Sequence, residues 1–334
     1  MIARAAAGSG RKGAHVSLVE GRPIAARGGT NTRERVTVRS ARFRRTQATL
    51  ISLMYLLPSL IVFGVFVFYP LFKSLYLSLF ASDPFGYGTG PFVGLRQYEI
   101  ALQSQSYRNG LRVTLLYTLY TVPIGIMISL FLATLANFRV RGIGFFRTVY
   151  ALPIGVSLGA SSIVFLLLYN GRAGVFNYFL NRVSLPAVEW LTEPRAALWA
   201  VAILSIWAGI GFNFIVLLSG LQGIPEELYE SARIDGATTG RIFRSITLPM
   251  LAPTLFFVLI VSTIGAFQSF AQIHILTKGG PANATNVVVY SIYREAFFNF
   301  QTGYASAQAM ILFCILMALT AIQFLVIERR VHYA

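Results

Sequence analysis

The sequence predicts an all-α polytopic membrane protein with six transmembrane helices and both termini in the cytoplasm. Three observations carry that prediction. The 334 residues are 55% hydrophobic and 12% charged, whereas a soluble domain carries about 25% charged residues. Six apolar runs reach the roughly 20 residues that a helix needs to cross a bilayer core. Arg and Lys are spread unevenly over the segments that join those runs.

The runs lie near 50–72, 113–136, 148–169, 196–220, 250–276 and 306–327. The first is too long for the apolar region of a signal peptide and lacks a small-residue cleavage site, so it reads as a retained helix. Pro58, Pro70, Pro123 and Pro153 fall in or at the edges of spans, where neighbouring helices can take up the freed carbonyls. With the N-terminus inside, the cytoplasmic segments hold eleven cations in residues 1–45, then Arg139, Arg141 and Arg147, then Arg233, Arg241 and Arg244, then Arg329 and Arg330. The outer segments hold Lys73, Arg96, Arg108, Arg112, Arg172, Arg182, Arg195, Lys278 and Arg294. That excess fits the positive-inside rule and rests largely on the first 45 residues. Residues 1–45 have no apolar period and read as a disordered basic tail that touches anionic lipid; residues 46–334 form the membrane domain.

The formal net charge of +16 does not point to nucleic acid, because its placement beside a span is that of a topology signal. Cys314 is the single cysteine, and His15, His274 and His332 stand far apart, so neither a disulfide within the chain nor a metal site is expected. His274 is expected to be a hydrogen-bonded interface residue near the outer end of the fifth span. The span centres carry no Asp, Glu, Lys or Arg, which weakens a proton- or ion-coupled transporter. A phosphate-binding loop needs Gly followed by Lys, and Lys12, Lys73 and Lys278 each follow another residue. The chain is therefore expected to bind no nucleotide or other cofactor itself.

One cassette breaks the apolar pattern. PEELYESARIDGATTGRIFRSITLP (225–249) holds seven charged residues between the fourth and fifth runs. Pro225 suits a first helical turn, Glu226 and Glu227 suit the positive end of the helix dipole, and Gly236 suits the left-handed residue that closes a helix. Thr238 or Thr239 can cap a second helix in which Ile242, Phe243 and Ile246 share a face, ended by Leu248-Pro249. The expected object is two short helices bent at a glycine. An interfacial hairpin lying on lipid headgroups has the same pattern.

The spacing Glu230-Ser231-Ala232, three residues, Gly236, nine residues, Ile246-Thr247-Leu248-Pro249 resembles the EAA signature of permease subunits of bacterial ABC importers. Ser231 stands where alanine is usual, and it is small enough for a close helix contact. The stretches IPEELYESARIDGA, ILTKGGPANAT (275–285) and ERRVHY (328–333) are similar to the carbohydrate branch, of the maltose and glycerol-phosphate types. The resemblance covers roughly residues 50–333. It implies a type I importer permease fold in the bacterial plasma membrane, with loop 225–249 docking into a cleft on an ATPase subunit. Glu230, Ser231, Ala232, Arg233, Asp235, Gly236, Ile246, Leu248 and Pro249 are then the coupling residues. It also implies a second permease, two copies of an ATP-binding subunit that hold the ATP and Mg, and a periplasmic or lipid-anchored solute-binding protein.

Amides beside aromatic rings suit sugars, since solute pockets combine apolar walls with a few placed polar groups. GIGFNF (209–214) and AFQSFAQ (266–272) have that composition near mid-membrane depth and nominate Phe212, Asn213, Phe267, Gln268, Ser269 and Gln272. By resemblance, the second stretch falls where maltose-type permeases line their solute site. Amides that join neighbouring spans are the competing reading. A channel, a secondary transporter and a membrane anchor remain as rivals; a channel needs no ATPase and leaves the cassette unexplained, and a secondary transporter implies dependence on a proton or sodium gradient. No nucleophile, base and orienting group converge, so an enzyme has no support.

Overall fold

The computed structural model describes residues 38–83, 89–138 and 140–327. Residues up to Ile61 and those from Val62 onward form two separate units. The first contributes most of helix α1 (Val38–Phe63), which carries Pro58. Helix thus begins ahead of the tail boundary at residue 45; arginine is a good helix former and does not oppose it. The remainder of the tail, Arg139 and residues 328–333 lie outside the described residues.

In the second unit a wide turn at Gly64–Phe68 leads into α2 (Tyr69–Leu77). The Tyr69 N–H bonds back five residues to the Gly64 carbonyl, immediately before Pro70. A widened turn there relieves the clash of a proline ring with the carbonyl four residues earlier. A short antiparallel hairpin, β1 (Phe80–Ser82) and β2 (Thr89–Phe92), pairs Phe80 with Phe92. Helices α3 (Arg96–Gln103) and α4 (Gln105–Ala136) follow, with Ser104 at the junction accepting from the Tyr107 N–H at 3.4 Å. Pro123 sits inside α4 without ending it.

The third apolar run departs from the single spanning helix expected near 148–169. It is α5 (Ile143–Ala151), a tight turn at Leu152–Gly155, and α6 (Leu158–Leu168), bent by 101°. Val156 and Ser157 are extended there. The Ser157 hydroxyl accepts from the Ala160 N–H at 3.2 Å and so starts a new helix. Among the described residues, five helices are long and apolar enough to span a membrane, or six with this bent pair counted as one.

After α7 (Val175–Arg182) comes the central helix α8 (Pro194–Gln222). Small residues let its neighbours approach, the usual device between membrane helices. A Cβ on Gly211 would stand 2.6 Å from the Ile154 nitrogen and 3.0 Å from the Ala151 oxygen. A Cβ on Gly220 would stand 2.7 Å from both Leu251 Cδ1 and Thr254 Oγ1. Around α8, Tyr117, Leu204, Phe214, Leu217, Leu251 and Val258 are almost fully buried.

Helices α9 (Glu226–Ile234) and α10 (Thr239–Ile242) form the cassette. Here too the structure corrects the sequence reading: the second cassette helix does not end at Leu248-Pro249. It runs through a wide turn at Phe243–Thr247 into α11 (Leu248–Phe267). The Leu248 N–H reaches back to the Phe243 carbonyl just before Pro249, the device already seen before Pro70. Helix stops again at Gln268–Phe270 and resumes as α12 (Ala271–Leu276). The GGPANAT segment then makes a tight loop with Lys278, Gly279, Ala282 and Asn283 at positive φ. Asn109 Nδ2 donates to the Asn283 carbonyl at 3.1 Å, and Thr285, fully buried, donates to the Gly280 carbonyl at 2.7 Å. Helices α13 (Val288–Phe297) and α14 (Thr302–Ile327) complete the described chain.

Gly211→Ala forces a methyl group against backbone and should cost about 1–3 kcal/mol, as overpacking does. The thermal midpoint of the purified membrane complex reads this. Gly144→Ala, at a position with nothing within 4 Å, should leave the midpoint unchanged.

Candidate functional site: an exposed hairpin and a polar cavity

The hairpin is built by its glycine. Gly236 has φ +75°; its N–H bonds the Arg233 carbonyl at 3.0 Å, and the Ala237 N–H bonds the Ala232 carbonyl at 2.9 Å. Those two bonds are the Schellman pair, which satisfies carbonyls left over at a helix end. Nothing lies within 4 Å of a Cβ built on Gly236, so the backbone conformation alone selects glycine. Pro225 sits one residue ahead of the first helical turn, as its N-cap. Thr238 occupies the N-cap of α10 without a side-chain cap bond.

Glu230, Ser231, Arg233 and Asp235 are exposed, as is Pro249; Ala232, Ile246 and Leu248 are half-buried. Tyr229 Oη lies 3.4 Å from Thr247 Oγ1 and ties α9 to the base of α11. Ile234, 86% exposed at the tip, was not singled out from the sequence. With Leu228, 40% exposed, it puts apolar surface among the acids, the composition of a protein-binding tip rather than of a wholly polar loop.

The second feature is a cavity of about 380 Å³ between α4, the broken third segment, α8 and the α11–α12 junction. Phe212, Asn213, Ser269 and Gln272 line it together; Gln268 and Phe267 do not. Gln268 is exposed. Phe267 is buried in an apolar cluster with Tyr107, Val288 and Leu312. A residue at a helix break turns through a different angle from its neighbours, and the expected helical register was lost at Gln268–Phe270.

Tyr117 organises the polar wall, and sequence reasoning missed it. Its Oη donates to Ser205 Oγ at 2.6 Å and lies 3.1 Å from Ser269 Oγ. Gln272 Nε2 donates to Tyr117 Oη at 2.9 Å and to Ser205 Oγ at 3.2 Å. Gln272 is 2% exposed, and its Oε1 has no partner. Ser262 donates to Asn213 Oδ1 at 3.3 Å. Among the described residues, no charged side chain lines the cavity. Tyr117 was visible as a polar residue in an apolar run, but nothing in the sequence joined it to a helix 155 residues away. His274 also departs from expectation: its ring stacks on Phe270 at 5.4 Å, and its buried Nδ1 has no hydrogen-bond partner.

Residues 114–333 match the family described as binding-protein-dependent transport system inner membrane component. The chain belongs to that family. It is a multi-pass permease subunit of an ABC importer in the bacterial inner membrane. The permease is 40% identical over 286 residues to the sn-glycerol-3-phosphate transport system permease protein UgpA of Agrobacterium fabrum, covering 84% of this chain and 96% of that one. It is 34% identical to the Shigella flexneri protein of the same name, over 84% and 96% of the two chains. Among solved structures, its fold matches a chain of a bacterial alginate ABC transporter in complex with an alginate pentasaccharide-bound periplasmic protein. That match has a TM-score of 0.73 at 23% identity, covering 84% of this chain and 95% of that one.

Tyr117→Phe removes the oxygen that Gln272 and Ser269 share. It should lower the stability of the permease by about 1–3 kcal/mol, the cost of stranding buried polar groups, as read by thermal unfolding in detergent or nanodiscs. Ser269→Ala removes a hydroxyl on the rim of the same network and should cost only about 0.5–1.5 kcal/mol.

Proposed function

We propose that this permease forms, with a second homologous permease, the membrane pathway for a sugar, oligosaccharide or glycerol-phosphate-type solute delivered by an extracytoplasmic binding protein. The observation that carries the reading is the pairing of an uncharged polar cavity with an exposed bent hairpin. One continuous run of helix, α10 to α11, leads from the hairpin to the cavity wall. The names of the relatives support the glycerol-phosphate type, and the alginate transporter supports the saccharide type.

In this reading the chain is a non-catalytic subunit. Two copies of an ATP-binding subunit meet the permease pair and hold the ATP and Mg. Each hairpin sits in a cleft of one ATPase, where Glu230, Arg233 and Asp235 make the polar contacts and Ile234 fills apolar space. When the ATPases close, the hairpins move with them. The π-turn, α11 and the close glycine contacts of α8 carry that movement to the cavity as a displacement of packed helices. Phe212, Asn213, Ser269 and Gln272 then meet the solute by hydrogen bonds and ring contact, and Phe267 and Gln268 play no part in the cavity itself.

The test is ATP-dependent uptake by the complete complex in proteoliposomes, with a graded series at the hinge. A left-handed backbone penalises a β-branched residue most and asparagine least. Gly236→Asn should retain most uptake, Gly236→Ala less, and Gly236→Val should lose it by about tenfold or more. The Gly236→Val complex should still assemble, so that the loss appears in ATPase stimulation by the loaded binding protein. Normal uptake by Gly236→Val would remove the hairpin from the mechanism.

A further inference from the structure

We propose that the solute path leaves the polar cavity by a single groove and ends in a basic vestibule under the hairpin, so that the permease favours anionic solutes at its cytoplasmic mouth. This rests on the importer reading above and adds to it the route and the charge class.

Three hollows share walls. The cavity and an open groove of about 710 Å³ both use Ile154 and Val156. The groove runs between α8 and the segment from α5 to the break; its sides are mainly apolar, with Leu152 and Leu218 among them, and Thr148 and Ser219 add two hydroxyl-bearing side chains. At its far end Arg147 and Gln222 also belong to a pocket of about 1010 Å³ beside α9. The shared residues place the three hollows next to one another, in order from the polar cavity to the hairpin, and in the proposed path they form one route.

The chemistry changes along that series. The cavity carries amides and hydroxyls and no charge. The groove is mainly apolar, with Thr148 and Ser219 as isolated polar points along it. The last pocket is lined by Arg141, Arg147 and Arg233 against one acid, Glu226. Arg147 spends Nε and Nη2 on the Ala136 carbonyl, at 3.0 and 2.8 Å, which fixes its position and leaves its charge in place. A concave site of one sign, with low-dielectric walls, concentrates ions of the other sign. An anion leaving the neutral cavity therefore moves toward falling energy. Arg233 stands on the hairpin, while Arg141 stands on the α4–α5 connection and Arg147 on α5, so hairpin movement also changes the width of the mouth.

The test uses the assembled importer in vesicles with the hairpin face outward, in a Cys314→Ser background because Cys314 is exposed. Cysteines are placed one at a time at Ile154 and Gln222. Each is treated with two membrane-impermeant methanethiosulfonates, one anionic (ethylsulfonate) and one cationic (ethyltrimethylammonium). Both positions should react from this face. At Gln222→Cys the anionic reagent should be favoured about tenfold over its ratio with a free thiol, and Arg141→Gln with Arg233→Gln should abolish that preference. sn-Glycerol 3-phosphate should slow the labelling of Gln222→Cys more than glycerol does. If Gln222→Cys reacts while Ile154→Cys is silent in every nucleotide state, the groove is covered by lipid or by the partner permease and the route is wrong. If the reagent ratio ignores the two arginine changes, or if glycerol protects as well as its phosphate, the anion preference is wrong. ATP-dependent uptake by the Cys314→Ser complex is scored separately; its absence would count against the importer reading without bearing on the labelling.

Discussion

Lipid offers no hydrogen bonds, and that constraint organises this permease. Every backbone polar group at membrane depth must find a partner inside the protein, so irregular backbone survives only where protein or a cavity surrounds it. This chain interrupts helix twice in its apolar segments, at Val156–Ser157 and at Gln268–Phe270. Both breaks are closed locally. The Val156 N–H bonds the Pro153 carbonyl, and the Ser269 N–H bonds the Ala266 carbonyl. The Ser269 hydroxyl also donates to the Gly265 carbonyl at 3.2 Å. Across the cavity, Tyr117 Oη lies 3.1 Å from the hydroxyl of Ser269 at the second break, and Val156 of the first break lines the same cavity. The polar cavity and the broken helices are thus one feature. Discontinuous helices around a solute site are a general solution in membrane transport, and here the same physics requires them to be enclosed.

Enclosure needs close packing. Gly211 lets the turn at Leu152–Gly155 lie against α8, and Gly220 lets α11 do the same one layer nearer the hairpin. Ala197, Ala200 and Ala202 keep the other end of α8 slim and are fully buried. Helices packed this closely move as bodies and do not deform gradually. The hairpin is joined to that body by continuous helix from Thr239, through the wide turn before Pro249, to Phe267. A proline that would otherwise break the helix is accommodated by one extra residue in the turn ahead of it. The link between the hairpin and the cavity wall is therefore helical throughout, with the left-handed Gly236 as the place where direction changes.

Much of this was legible in the sequence, for identifiable reasons. Long apolar runs announce spanning helices because bilayer thickness fixes their length. Gly236 was legible because few residues tolerate its φ. The placement of Glu230, Arg233 and Asp235 on an exposed surface followed from their being charged beside lipid. Helix breaks were not legible: Val156–Ser157 lies in a run as apolar as any span, and only the position of Ser157 as a cap marks it. The continuity through Leu248-Pro249 was misread because proline usually ends a helix, and a π-turn has no strong sequence signature. Gln268 and Phe267 were nominated by the composition of their stretch, which does not report that helix stops at Gln268–Phe270 and turns them away from the cavity. Tyr117 and Ser205 entered only through contacts between distant helices, which a single sequence does not report.

The confinement of charge to the ends follows from the same solvent. An ion in the cavity would have to leave water for a site with few donors, at a cost of several kcal/mol unless it is paired. The cavity spends most of its hydrogens internally: Tyr117 donates to Ser205, Ser205 donates to the Val201 carbonyl at 2.8 Å, and Gln272 donates to both hydroxyls. Gln272 Oε1 is left buried and without a hydrogen-bond partner. In the proposed pathway, a cavity that spends its donors internally would bind weakly, as a pathway needs, because a site that held its solute with full charge complementarity would release it slowly. Specificity at such a site comes from the cost of leaving a buried amide unmatched, while attraction over distance is left to charges at the water-facing ends, where screening and solvation keep them from becoming traps.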